Sequence, residues 1–145
     1  MRAVLQRASR ASVEVDGSIV GQLPGPGLVV LLGITHEDNE AAARKVAQKI
    51  YGLRILEDEA SCESLGAPLL VISQFTLYAS VRKGRRPSWS AAAPGAHSEP
   101  LYEYFVDYLR QLGASVETGV FGAMMEVNLT NSGPFTVIVD SAELA

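Results

Sequence analysis

The sequence contains a single cysteine, Cys62, in 145 residues, so no disulfide can close within the chain, and neither CxxC nor HExxH spacing occurs. A reducing compartment, no metal and no cofactor are expected, with the cytoplasm the best fit. Histidine is nearly as scarce, His36 and His97 being the only two. Both fall in segments that read as surface loops, away from any evident nucleophile, which leaves Ser-His-Asp and Cys-His catalysis without support. Cys62 is expected to be unreactive, because Glu57, Asp58, Glu59 and Glu63 surround it in sequence and negative charge opposes thiolate formation. Long apolar runs are missing too: the longest, Leu28–Ile34, is far too short to cross a bilayer. Arg2, Arg7 and Arg10 interrupt the first ten residues, so a secretory signal is not expected. A formal net charge of -4 argues against a protein that coats nucleic acid, DNA included, although it permits a local basic patch.

What is present is an ordinary globular composition, 48% hydrophobic and 19% charged, which fits one domain over residues 1–145. The opening alternates through Ala11-Ser-Val-Glu-Val, turns at Asp16-Gly17 and continues as Ser18-Ile-Val, the pattern of an antiparallel hairpin. Leu28–Ile34 reads as a strand buried on both faces. Asp38-Asn39 caps a helix over 39–52, where Ala43, Val46, Ala47 and Ile50 recur at helical spacing. An acidic loop over 57–66 leads to a second buried strand, Leu69–Ser73. Residues 79–98 read as a long loop rich in Pro, Ser, Gly and Ala, followed by a helix with Leu101, Tyr104, Phe105, Tyr108 and Leu112 on one face and Gly113 as its stop. Strands are expected near 115–118, 124–130 and 135–139, the last two separated by an Asn131-Ser-Gly-Pro134 turn. The class is mixed α and β, and so few helices cannot cover a large sheet, which calls for a second sheet or a partner subunit.

Three segments carry candidate chemistry. Ser73-Gln74-Phe75-Thr76 lies at a strand end, where hydroxyls and successive backbone N–H groups can face a ligand and stabilise an oxyanion; strand-capping bonds are the plain alternative. Arg82-Lys83-Gly84-Arg85-Arg86 puts four cations into five residues of an acidic protein, suited to phosphate contact or simply a solvated loop. Gly133-Pro134 reads as a turn; a cis bond there would present two carbonyl oxygens without a side chain in the way.

Nearly the whole chain resembles the D-aminoacyl-tRNA deacylase family, formerly described as D-tyrosyl-tRNA deacylases. The likeness is carried by Gln6-Arg-Ala-Ser-Arg-Ala-Ser-Val13, Gly27-Leu-Val-Val-Leu-Leu-Gly33, Ser73-Gln-Phe-Thr-Leu77, Gly84-Arg-Arg-Pro-Ser88, Leu101-Tyr102 with Phe105, and Asn131-Ser-Gly-Pro-Phe-Thr136. The segment between Ile55 and Ala67 is shorter than usual for the family, and Trp89 stands where Phe is more common. The resemblance implies a three-layer α/β/β fold assembled as a homodimer, hydrolysing the ester of D-aminoacyl-tRNA and possessing some reach toward glycyl-tRNA mischarged on tRNA-Ala. It implies that a cis Gly133-Pro134 enters the partner's pocket and rejects L-aminoacyl substrates. Ser73, Gly133 and Pro134 then contact substrate, the backbone N–H groups of Gln74 and Phe75 serve as oxyanion donors, and Thr76 lines the site. Arg82, Lys83, Arg85 and Arg86 contact tRNA, and Phe121 and Met125 lie near the terminal adenosine, with core packing as their bland alternative. An aminoacyl ester is already activated, so the substrate's ribose 2′-hydroxyl can assist attack without a metal. Two other functions compete: a non-catalytic nucleic-acid-binding module working through residues 82–86, and a general esterase or amidase using Thr76.

Overall fold

The computed structural model describes all 145 residues. Strand β1 (Arg2–Val15) turns at Asp16 and Gly17 into β2 (Ser18–Gln22). Both turn residues have positive φ, +50° and +80°, as a tight hairpin matching strand twist demands. Strand β3 (Gly27–Gly33) follows, then helix α1 (Glu40–Gly52), the short helix α2 (Cys62–Leu65) and strand β4 (Leu69–Ser73). A 3-10 turn over Phe75–Tyr78, helix α3 (Gly95–Gln111), strand β5 (Val116–Thr118) and strand β6 (Glu126–Asp140) complete the order.

The strands form one six-stranded sheet in the order β2-β1-β3-β4-β5, with β6 also paired to β1. Strand β3 runs parallel to β4, and β4 parallel to β5, while β1 is antiparallel to β2, β3 and β6. Residues 2–8 of β1 pair with β3, whereas residues 12–15 pair with β2. Register shifts flank Ala8 in the β1–β6 pairing, and such irregularities bend a strand. The sheet therefore curls until β2 meets β5: a Cβ on Gly21 would lie 2.0 Å from the Thr118 carbonyl oxygen.

Alternation along β1, β3 and β4 divides the core. Met1, Ala3, Leu5, Leu28, Val30, Leu32, Leu69 and Val71 face α1 and α3, where Val46, Ile50, Phe105 and Leu109 close over them. Val29, Leu70 and Ile72 point the other way, onto Ala8, Ala11, Val13 and Leu23. The face not covered by helices is thus covered by the curled part of the same sheet.

Three sequence expectations change. Helix α3 begins at Gly95 rather than near residue 99, and Pro100 sits inside it. Residues 131–134 do not separate two strands; β6 runs through them, because the Asn131 amide donates to the Arg7 (3.0 Å) and Phe135 (3.3 Å) carbonyls and the Arg7 guanidinium donates to Ser132 O (3.0 Å) and Gly133 O (2.6 Å). The acidic 57–66 segment carries α2 rather than a bare loop, and Cys62 is fully buried. The thiol is pushed up to about 12 by burial, so want of solvent, rather than its acidic neighbours, opposes the thiolate. No helix is long and apolar enough to cross a membrane.

Candidate active site

The parallel strands β3 and β4 end side by side, and their C-terminal edge is where α/β sheets commonly hold ligands. The chain leaves β4 sharply. Gln74 N–H still donates to Leu32 O (2.8 Å), after which Phe75–Tyr78 coils as a 3-10 turn against the end of β3. Gly33 makes this close approach feasible: a Cβ there would lie 2.9 Å from Leu77 Cβ and 3.1 Å from Gln74 O. Arg2 secures the turn from below, donating to Leu77 O (2.9 Å) and to Asp140 (2.9 Å) while lying 4.7 Å from the Tyr78 ring centroid. Asp38 fixes the loop after β3, accepting from Thr35 N–H (2.8 Å) and from the Met1 ammonium (2.6 Å).

A cavity of about 550 Å³ opens at this edge, walled by Leu32, Ile34, Ile72, Ser73, Gln74, Phe75, Thr76, Ala93, Gly95, Ser98 and the Phe121–Met125 stretch with Val127. That volume suits a small ligand. Gly119 allows its far wall to form, since a Cβ would come 2.6 Å from Met125 Sδ, and Phe121 packs 5.9 Å from Tyr102, whose hydroxyl donates to Val71 O (2.7 Å). None of the sixteen lining residues is ionisable, so the walls hold no general base or acid. The polar groups are Ser73, Gln74, Thr76, Ser98 and the backbone. Gln74 Nε2–H donates to Thr76 Oγ1 (2.5 Å), which leaves the threonine proton free to point at a ligand. N–H groups opening a helical turn have no acceptor inside it, which frees those of Phe75 and Thr76 from the turn itself.

The structure thus brings Ser73, Gln74, Phe75, Thr76, Phe121 and Met125 into one cavity. Gly133 and Pro134 are exposed in β6, joined by a cis peptide bond, and do not line it. Arg82, Lys83, Arg85 and Arg86 are exposed on a loop pinched by reciprocal Ser80–Ser88 backbone bonds of 2.8 Å, and none joins an ion pair. His36 Nε2–H donates to Ser90 O (2.7 Å). His97, expected in a loop, lies in α3 with Nε2 2.9 Å from Asp38 O. Neither histidine reaches the cavity. Sequence reasoning did not anticipate Arg7, because its partners lie more than 120 residues away, nor the cavity's share of α3, hidden by the Pro94-Gly95 start.

Fold and site define a mixed α/β domain with an apolar ligand cavity at the ends of two parallel strands, edged by backbone donors and hydroxyls. A family model described as D-Tyr-tRNA(Tyr) deacylase matches residues 4–140. A protein of Thermobifida fusca named D-aminoacyl-tRNA deacylase is 63% identical over 97% of this chain and 99% of its own, and one of the same name from Cutibacterium acnes is 62% identical over 97% of each. A solved structure described as c-Myc DNA Unwinding Element Binding Protein is 37% identical, with TM-score 0.89 over 97% of this chain and 98% of that one. A second, described as a probable eukaryotic D-amino acid tRNA deacylase, shares the fold at TM-score 0.83 and 17% identity, over 95% and 97%. The chain belongs to the D-aminoacyl-tRNA deacylase family.

Proposed function

We propose that this chain hydrolyses the ester of D-aminoacyl-tRNA, releasing the D-amino acid and tRNA. The observation that carries the reading, beside family membership, is a cavity with oxyanion-type donors and no ionisable wall residue. Such a site cannot supply acid–base chemistry of its own, which restricts it to an activated substrate that brings its own assisting group. An aminoacyl ester on a ribose is one: the vicinal 2′-hydroxyl sits beside the scissile carbonyl, where proximity alone is worth roughly 7–11 kcal/mol in well-oriented cases. The terminal adenosine lies against Phe121 and Met125, and Ser73 contacts the aminoacyl group. The oxyanion is held by the Phe75 and Thr76 N–H groups. Gln74 N–H, expected among the donors, is already bonded to Leu32 O, so Gln74 contributes through its side chain. Thr76 Oγ1 accepts from that side chain, which lowers its nucleophilicity, and its own proton orients the substrate.

Selection against L substrates follows if Gly133-Pro134 of a second copy enters the cavity mouth, which requires a homodimer and fits the three-layer α/β/β description. The exposed, side-chain-poor motif, with Arg7 fixing the Ser132 and Gly133 carbonyls, supports that arrangement. Exclusion at the α-carbon leaves glycine, which has no side chain, as a tolerated substrate, so glycyl-tRNA mischarged on tRNA-Ala is included. Arg82, Lys83, Arg85 and Arg86 meet tRNA phosphates, and the cytoplasm is the compartment. Deacylation of matched D- and L-aminoacyl-tRNAs is the direct test: rapid loss of the D ester with the L ester intact is expected, and equal rates reject the chiral reading. A second reading, a non-catalytic nucleic-acid module, draws on the unpaired cations and on the name of the 37% identical structure. It predicts RNA or DNA binding with no ester cleavage.

A further inference from the structure

We propose that Trp89, paired with Phe75, forms a stacking subsite for the unpaired nucleobase next to the terminal one, just outside the cavity. This rests on the deacylase reading and adds to it a ligand subsite. Trp89 is 44% exposed and Phe75 57% exposed, with ring centroids 5.4 Å apart and planes at 71°. An edge-to-face pair occupies at most one face of the indole, so a planar ligand can cover the other.

The backbone beneath the ring is tied down. Trp89 C=O accepts from Ala92 N–H (3.0 Å), Ser90 C=O from His36 Nε2–H (2.7 Å), and Ala91 C=O from the Thr35 hydroxyl (2.6 Å). The ring is therefore carried on a fixed segment yet left in solvent, and a preorganised aromatic surface loses little on binding. Its position selects the ligand. Phe75 is part of the cavity wall, Trp89 touches Phe75, and the loop bearing Arg82, Lys83, Arg85 and Arg86 closes at Ser88, one residue before Trp89. Cavity, aromatic pair and unpaired cations thus form one path. A single-stranded RNA end has the matching order: a terminal nucleoside, then a base with an open π-face, then phosphates. Stacking of this kind tolerates any base, since each has such a face.

Trp89 is the only tryptophan, so its emission reports this site alone. The probe is an RNA trinucleotide ending in adenosine, titrated into the full chain beside the same trinucleotide lacking its middle base, which keeps the phosphates. The intact probe is expected to quench the emission and to bind about 5- to 150-fold more tightly, the range for one stacked base. Equal binding and quenching by the abasic probe overturns the proposal and leaves only charge at work. In turnover, the ratio of kcat/KM for D-aminoacyl trinucleotide over D-aminoacyl adenosine is expected to fall by a similar factor in Trp89→Ala and to be largely restored in Trp89→Phe; an unchanged ratio also overturns it. The titration needs no turnover. Failure of the wild-type chain to cleave D-aminoacyl-tRNA therefore counts against the deacylase reading separately.

Discussion

Two of the segments that carry the family likeness are built in opposite ways. Ser73–Thr76 is embedded: Gln74 N–H is in the sheet, Gly33 lies beneath, Arg2 holds the following turn, and all four residues line one cavity. Gly133-Pro134 stands in the open. A Cβ on Gly133 would meet nothing within 4 Å, and the only side chain holding it is Arg7, which fixes its carbonyl. The first segment is explained by its own chain. The second has its geometry fixed and no side chain of its own chain packed on the glycine, and the proposed function gives it a counterpart in another copy.

The largest effect should separate substrate chemistry from side-chain chemistry within the embedded segment. A substrate ending in 2′-deoxyadenosine is expected to bind but to be cleaved about 10²-fold more slowly or worse in single turnover, the usual scale for losing a positioned acid–base group. Thr76→Ala should cost less than about tenfold, since no base is present to activate that hydroxyl. Normal cleavage of the deoxy substrate together with an inactive Thr76→Ala reverses the assignment. Next comes the exposed segment. Gly133→Ala has open space around it, so stability should change by no more than about 0.5 kcal/mol. On the proposed dimer D-aminoacyl-tRNA cleavage should nevertheless fall at least about tenfold, because the added methyl group would there meet the substrate. Sedimentation should show a dimer; a fully active monomer would mean that the motif serves its own chain only.

This contrast also marks what could be read from sequence. Features set by neighbouring residues were legible: Asp16-Gly17 as a hairpin, Asn39 as the cap accepting from Ala42 N–H (3.0 Å), Leu28–Ile34 as a buried strand, observed over Gly27–Gly33. The place of Ser73–Thr76 at the sheet edge, where they line the cavity, was legible because a polar run after an apolar strand must emerge there. Features set by distant partners were not. Residues 131–134 have turn composition, yet Arg7 and Gln6 hold them and Thr136 in a continuous strand. Helix α3 starts early because Ser98 donates to Pro94 O (3.1 Å) and is buried against the cavity, information absent from a Pro-, Gly- and Ser-rich stretch. The fold-back that covers the sheet's second face arises from bends beside Ala8 that leave no composition signal.

A smaller effect concerns the basic loop, which belongs to neither segment. Replacing Arg82, Lys83, Arg85 and Arg86 together by Ala should weaken tRNA binding. The slope of log K against log salt should flatten by about 0.7 for each single-strand phosphate that the loop no longer neutralises. Gly133→Ala should leave that slope alone. An unchanged slope in the fourfold variant would return the cluster to a solvated loop.

The smallest effect asks whether the helix-side core is intrinsic to one chain. It contains two buried groups that resist ionisation: burial raises Cys62 from 9.0 to about 12 and Tyr102 from 10.0 to about 12. A group whose pKa is raised on folding contributes fully below its unfolded pKa. As pH climbs past 9 and 10, the unfolded chain releases these protons while the folded chain keeps them, so stability falls until the folded pKa near 12 is passed. Each group steepens that fall by at most about 1.4 kcal/mol per pH unit. Cys62→Ala should make the decline shallower from pH 9 upward, and Tyr102→Phe from pH 10 upward; the latter should also lose about 1 kcal/mol at pH 8, because Val71 O loses its hydroxyl donor. Both groups sit inside one chain, so the change in slope should be the same at high and low protein concentration, whereas any contribution from the Gly133-Pro134 contact should grow with concentration. Denaturant unfolding across pH 8–11 at two concentrations measures both, and a concentration-dependent slope change would show that this core is not intrinsic to one chain.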